Sequence, residues 1–141
     1  MVSKTEQYLM NIANRMGNGS VSVGFAEGRG YADGTSLAQV AFQNEFGAPS
    51  KGQPARPFFR RMVAKEAPGW APQIGRLAAE GRSGANILRV MGEDIRGGIM
   101  DSINNFTDPP LSPETIARKG FSKPLIDSHY MVDNVTYTVE D

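Results

Sequence analysis

The segment Ala41 to Arg61, AFQNEFGAPSKGQPARPFFRR, constrains this chain more than any other, because a helix end, a run of chain breakers and an aromatic helix start follow one another without a gap. Gly47 is placed to stop a helix that carries Asn44, Glu45 and Phe46 in its last turn. Residues 48–54 hold two prolines, a glycine and few apolar side chains, which predicts an exposed loop over 47–57 rather than a packed element. Pro57 pushes Arg56 into extended backbone and suits the first position of a new helix. Phe58, Phe59, Met62 and Val63 then recur one turn apart as anchors. The expectation is a loop pinned by aromatics, Phe46 at one end and Phe58 and Phe59 at the other, displaying a tip around Pro49 and Lys51.

The rest of the chain divides into helical and alternating stretches. Ser3 with Glu6 forms a capping box, and Tyr8, Leu9, Ile12 and Met16 follow at helical spacing until Gly17, so the first 19 residues are an N-terminal helix and its end. Val21, Val23 and Phe25 alternate with small polar residues as a half-buried strand does. Glycines 28, 30 and 34 predict irregular chain. Ser36 and Gln39 make a second capping box, ahead of a helix with Leu37, Val40, Ala41 and Asn44 on one face and Phe42 paired with Phe46 on another.

Beyond the loop, Pro68 is expected to end the helix begun at Pro57, with Trp70, Ile74, Leu77 and Ala78 forming a separate amphipathic stretch up to Gly81. Residues 84–106 carry a long stripe of Leu88, Met91, Ile95, Ile99, Ile103 and Phe106, a long core helix that tolerates Gly97-Gly98 at a cost of roughly 1 kcal/mol each, for close approach of a neighbour or for a bend. Pro109-Pro110 breaks the chain and Ser112-Pro113 starts a short helix that Gly120 ends. Met131 to Glu140 alternates again, with Val135, Tyr137 and Val139 on one face, and the segment 131–141 is expected to pair as a strand with Val21 to Phe25. Two strands alone are marginal, so the glycine-rich region, the long helix or a second copy must support the sheet.

With 141 residues the chain has the length of one domain. No apolar run approaches a membrane span, the first residues do not resemble a signal-peptide core, and no membrane partner is expected. The chain has one histidine and no cysteine, so a cysteine metal site and a thiolate nucleophile are excluded, and no metal or other cofactor is expected. His129 follows Asp127-Ser128, with no nucleophile elbow in the sequence, so it is expected as a loop or strand-start residue rather than a catalytic one. Gly28-Arg29-Gly30 lacks the third glycine of a dinucleotide-binding turn. Equal numbers of acidic and basic residues give no general attraction to nucleic acid. Arg56, Arg60, Arg61 and Lys65 still form a local basic cluster beside Phe58 and Phe59, which as a small nucleic-acid-binding module would stack bases.

Glu45 stands out because a carboxylate in the last turn of a helix is disfavoured by the helix dipole. It requires a cation, and Arg56, Arg60 and Arg61 are the candidates. Three uses are open: an ion pair that closes the loop, a contact between subunits, or acid–base chemistry in a cleft with His129.

Three elements, Asn44-Glu45-Phe46-Gly47, Arg56-Pro57-Phe58-Phe59 and Lys123-Pro124-Leu125-Ile126-Asp127-Ser128, occur in this order ahead of a C-terminal alternating segment. In that order the chain resembles the minor structural proteins of tailed bacteriophages, the tail-completion, neck or head–tail joining proteins that include the Mu-like virion morphogenesis group. The resemblance covers about residues 20 to 140. It departs from the family after Ser128, where His129 and Tyr130 stand in place of the usual glycine. The resemblance implies an α+β fold with helices against a small antiparallel sheet, no enzymatic activity, and a place in a symmetric ring at the head–tail junction of the virion, assembled in the host cytoplasm. A hexamer is the favoured ring and a dodecamer the second choice, with neck, tail-terminator or connector proteins as neighbours and no specific nucleic acid. Glu45, Phe46, Pro49, Lys51, Arg56, Phe58, Phe59 and Arg60 are then the expected loop-anchoring and interface residues.

Overall fold

The computed structural model describes residues 2–26, 28–31, 34–106 and 129–140. Its fold is α+β: five α-helices and a two-stranded antiparallel sheet among the described residues. The elements run α1 (Lys4–Met16), β1 (Ser20–Phe25), α2 (Leu37–Phe46), a 3-10 turn (Pro49–Lys51), α3 (Phe58–Ala79), α4 (Gly84–Asn105), α5 (His129–Asp133) and β2 (Val135–Glu140). The expected features between Phe106 and His129, namely the Pro109-Pro110 break, the short helix up to Gly120 and the Lys123 to Ser128 element, lie outside the described residues.

Both serine caps lie where the sequence puts them, the first as a full box and the second as its Ser36 half. Ser3 Oγ accepts the Glu6 N–H at 3.1 Å while Glu6 Oε2 accepts the Ser3 N–H at 2.9 Å, and Ser36 Oγ accepts the Gln39 N–H at 3.1 Å. Strand β1 pairs with β2 from Ser20 opposite Glu140 to Phe25 opposite Val135. Val135 is buried on the inner face while Thr136, Thr138 and Glu140 are exposed, the alternation expected of a sheet with one wet side. Among the described residues of the glycine-rich region there is an isolated Gly30–Ser36 bridge, and α4 supports the sheet. Gly92 lets the two meet: a Cβ there would stand 2.6 Å from the Tyr137 ring and 3.0 Å from a Val21 methyl. Arg96 Nε adds a tie to β2, donating to the Val135 carbonyl at 2.7 Å.

Several features differ from expectation. Helix α3 does not stop at Pro68 but runs through Pro68 and Pro72 as 22 continuous residues. Both prolines face solvent, as does Ala64, so water can hydrate the Ala64 carbonyl that lacks a partner one turn before Pro68. Burial of Leu77 and Ala78, with Trp70 and Ile74 packed beside Ile87 and Met91 of α4, holds the second half in line. The last segment does not begin as a strand at Met131. Met131 and Val132 are both buried in the core; a strand would send neighbours to opposite faces, and the single helical turn of α5 sends both inward. On α4, Ile87 rather than Leu88 starts the buried stripe that continues through Met91, Ile99 and Ile103. Of the glycine pair, Gly98 lies against the Glu66 carboxylate of α3, whereas Gly97 faces open space.

The main core joins Leu37 and Ala41 of α2, Phe58 and Met62 of α3, Ile99 and Ile103 of α4, and Met131, Val132 and Val135. Phe58 is its most deeply buried aromatic, 1% exposed and edge-on to Phe25 at 6.1 Å. Burying it is worth about 3 kcal/mol. Core and motif therefore share a residue, and the start of α3 is fixed in place against α2.

Candidate functional site

Helix α3 begins one residue later than expected. Pro57 occupies the cap position, where its ring offers no acceptor for the free N–H groups of the first turn. Glu45, from the end of α2, supplies it. Glu45 Oε1 accepts the Phe59 N–H at 2.8 Å, and Oε2 accepts the Arg60 N–H at 3.2 Å and Arg60 Nε at 2.7 Å. Phe59 and Arg60 are the second and third residues of α3, the donors that an ordinary cap residue would satisfy. Arg60 in turn donates from Nη2 to the Glu45 carbonyl at 2.8 Å, satisfying a last-turn acceptor of α2. Each side chain thus caps the other's helix.

The electrostatics agree with this geometry. A carboxylate at the C-terminus of α2 is unfavourable there but favourable at the N-terminus of α3, and the guanidinium has the opposite preferences. Glu45 is 6% exposed, and its two oxygens accept three donors. Of the three candidate cations, Arg60 is the one the fold pairs with Glu45. Arg56 is buried at the loop base, its N–H donating to the Asn44 carbonyl at 2.6 Å, and Arg61 lies over the Phe106 ring at 4.9 Å. His129 opens helix α5 instead of a strand.

The loop is tied more closely than its breakers suggest. Pro49 to Lys51 make a 3-10 turn, and Ala48 and Gln53 exchange backbone hydrogen bonds of 2.9 and 3.1 Å. Asn44 anchors it from α2: its carbonyl takes the Arg56 N–H, its Oδ1 accepts Gln53 Nε2 at 3.2 Å, and its Nδ2 donates to the Val40 carbonyl at 3.0 Å. Gly47 has φ of +80°, and a Cβ there would stand 2.9 Å from the Ala55 nitrogen; backbone conformation and space both require glycine. The base at Ala48 and Arg56 is buried, while Pro49, Lys51, Pro54 and Ala55 are exposed. Asn44 and Gly47 belong to the site as much as Glu45 does. Their signal lay in the same four letters, a short amide before the carboxylate and a glycine after it.

The aromatic clamp expected at both ends of the loop is only half present. Phe58 enters the core, but Phe46 is 51% exposed, with Phe42 against it at 4.7 Å between ring centroids and the Arg60 guanidinium 4.6 Å over its face. Phe42 is 62% and Phe59 37% exposed. Between these rings runs a shallow apolar groove of about 280 Å³, floored by Phe25, Ala38 and Ala41. Arg60 holds Phe46 by a cation–π contact, so the reciprocal cap also sets one wall of the groove. Of the basic-aromatic cluster, Arg56 and Phe58 are buried, while Phe59, Arg60, Arg61 and Lys65 are exposed.

Comparison with protein-family models, with curated proteins and with solved structures found no match. No helix among the described residues is long and apolar enough to cross a membrane.

Proposed function

We propose that this chain is a non-enzymatic structural protein of a tailed-phage virion, a tail-completion or neck protein that joins tail to head through a symmetric ring. The observation that carries the reading is the join between the Asn44 to Gly47 and Arg56 to Phe59 elements. Residues that resemble the phage family in order and identity interlock here through Glu45, Asn44 and Gly47, and they frame an exposed tip and an exposed aromatic groove. A rigid frame presenting an apolar surface suits a part that works by repeated protein contacts, each modest, multiplied around a ring.

Incorporation into particles tests the reading. A phage lacking this protein is expected to make heads and tails that do not join, and the supplied chain to restore joining and to sit at the junction in electron micrographs. Normal particles without the chain would contradict it.

A further inference from the structure

The two edges of the sheet differ in what protects them. Strand β1 has one hydrogen-bonded neighbour, β2, and the Ala26 N–H, donating to the Asn134 carbonyl at 3.0 Å, extends their ladder by one pair and fixes its parity. Ser20, Ser22 and Gly24 therefore turn their N–H and C=O groups towards β2, and Val21, Val23 and Phe25 turn theirs away from it. On β2 the groups turned away belong to Val135, Tyr137 and Val139, and that edge is guarded: Arg96 Nε donates to the Val135 carbonyl, and Glu140 puts an exposed charge at the strand end. The β1 edge has no such guard. Ser20–Phe25 contains no charged residue and no proline, and among the described residues no backbone group outside the sheet bonds to Val21, Val23 or Phe25. Native proteins blunt an idle edge, so an edge left open opposite a guarded one is a place for another strand.

We infer that the β1 edge binds an extended segment of a partner polypeptide, which adds to the sheet as a third strand and seats an apolar side chain in the groove walled by Phe42, Phe46 and Phe59. Two features that meet at one place set the chemistry of this occupant. The outward N–H and C=O groups of Val21, Val23 and Phe25 recur along the strand about every 7 Å, a row of donors and acceptors that the main chain of a further strand matches. Gly24 and Phe25 of the same strand border the apolar groove, which Ala38, Ala41 and Phe42 of α2 also line. In strand addition the main-chain bonds give affinity and pockets for alternate side chains give specificity; here the open edge supplies the first and the groove the second. The sheet gains as well, since two strands are marginal and a third strengthens them. The inference goes beyond the virion reading and does not depend on it.

The probe is a synthetic peptide with blocked ends, Lys-Thr-Val-Thr-Leu-Thr-Val-Thr-Lys, added to the full chain and followed by amide NMR. The Val21, Val23 and Phe25 amides are expected to exchange quickly with solvent in the free chain and about tenfold more slowly with saturating peptide. Methylating the peptide nitrogens at alternate residues gives two series, one of which loses every donor facing β1, so one series is expected to lose binding and the other to keep it. A probe with alanine in place of leucine, and the chain variant Phe42→Glu with unchanged circular dichroism, are each expected to bind about tenfold more weakly. Several results would overturn the inference: no binding, shifts confined to residues away from β1, two methylated series that bind alike, or an alanine probe that binds as well as the parent. Val21, Val23 and Phe25 amides already protected in the dilute free chain would do so too, because the chain would then cover its own edge. Protection that rises with chain concentration alone would make the occupant a second copy and equally contradict it. Should Phe42→Glu fail to fold, the alanine probe decides the part played by the groove.

Discussion

Glu45 and Arg60 each cap the helix on which the other stands: the Glu45 carboxylate takes the first-turn N–H groups of α3 and Arg60 takes the Glu45 carbonyl at the end of α2. The two partners are unequal, since Glu45 is buried and the Arg60 side chain is 55% exposed. Glu45→Ala strips two backbone donors of their acceptor, and we expect a loss of about 2–4 kcal/mol in urea unfolding. Arg60→Ala leaves the caps on α3 in place, removes the bond to the Glu45 carbonyl and the exposed ion pair, and is expected to cost about 1 kcal/mol. Equal losses for the two variants would argue against the cap.

Gly47 and Gly97 offer a controlled comparison. Gly47→Ala places a Cβ at positive φ against the Ala55 backbone, and we expect a loss of about 1–3 kcal/mol. Gly97→Ala adds a methyl to a helix interior with nothing within 4 Å, and is expected to gain up to about 1 kcal/mol. Thermal midpoints that move the same way for both would contradict the structure.

Gly92 reports on the seam between α4 and the sheet. Gly92→Ala must displace the Tyr137 ring or Val21, with an expected loss of about 1–3 kcal/mol. A smaller, ringless side chain at the partner site, in the double variant Gly92→Ala/Tyr137→Val, should recover part of it. No recovery would mean that the strain lies elsewhere.

Pro68 stands on the solvent side of an unbroken helix. Proline inside a helix costs about 3 kcal/mol relative to alanine, and here the surrounding packing offsets that cost. Pro68→Ala is therefore expected to raise the urea midpoint. A fall would place a helix end or a required kink at this residue.

These positions also mark what could be read before the fold was known. The Ser3 and Ser36 caps, the alternation of Val135 to Glu140 and the stripe of α4 were legible because each depends on residues within a turn or two. Glu45 announced its need for a cation by its place at a helix end. The choice of Arg60 over Arg56 was not legible, because it depends on α3 starting at Phe58 and turning Arg60 back towards α2. Nor was the passage of α3 through Pro68, which rests on the contact of Trp70, Ile74 and Leu77 with α4, residues distant in sequence. Phe46 misled for a related reason: its spacing matches a core aromatic, yet the guanidinium above it holds it in the groove wall instead.

A double-mutant cycle on Glu45 and Arg60 tests the central relationship most directly. Unfolding free energies of Glu45→Ala, Arg60→Ala and the pair are expected to give a coupling of just under about 1 kcal/mol, with the double variant no less stable than Glu45→Ala by more than a few tenths. Strictly additive losses would mean that the Glu45 carboxylate and the Arg60 guanidinium do not pair across the join between α2 and α3, and the frame described here for the loop and the groove would lose its tie.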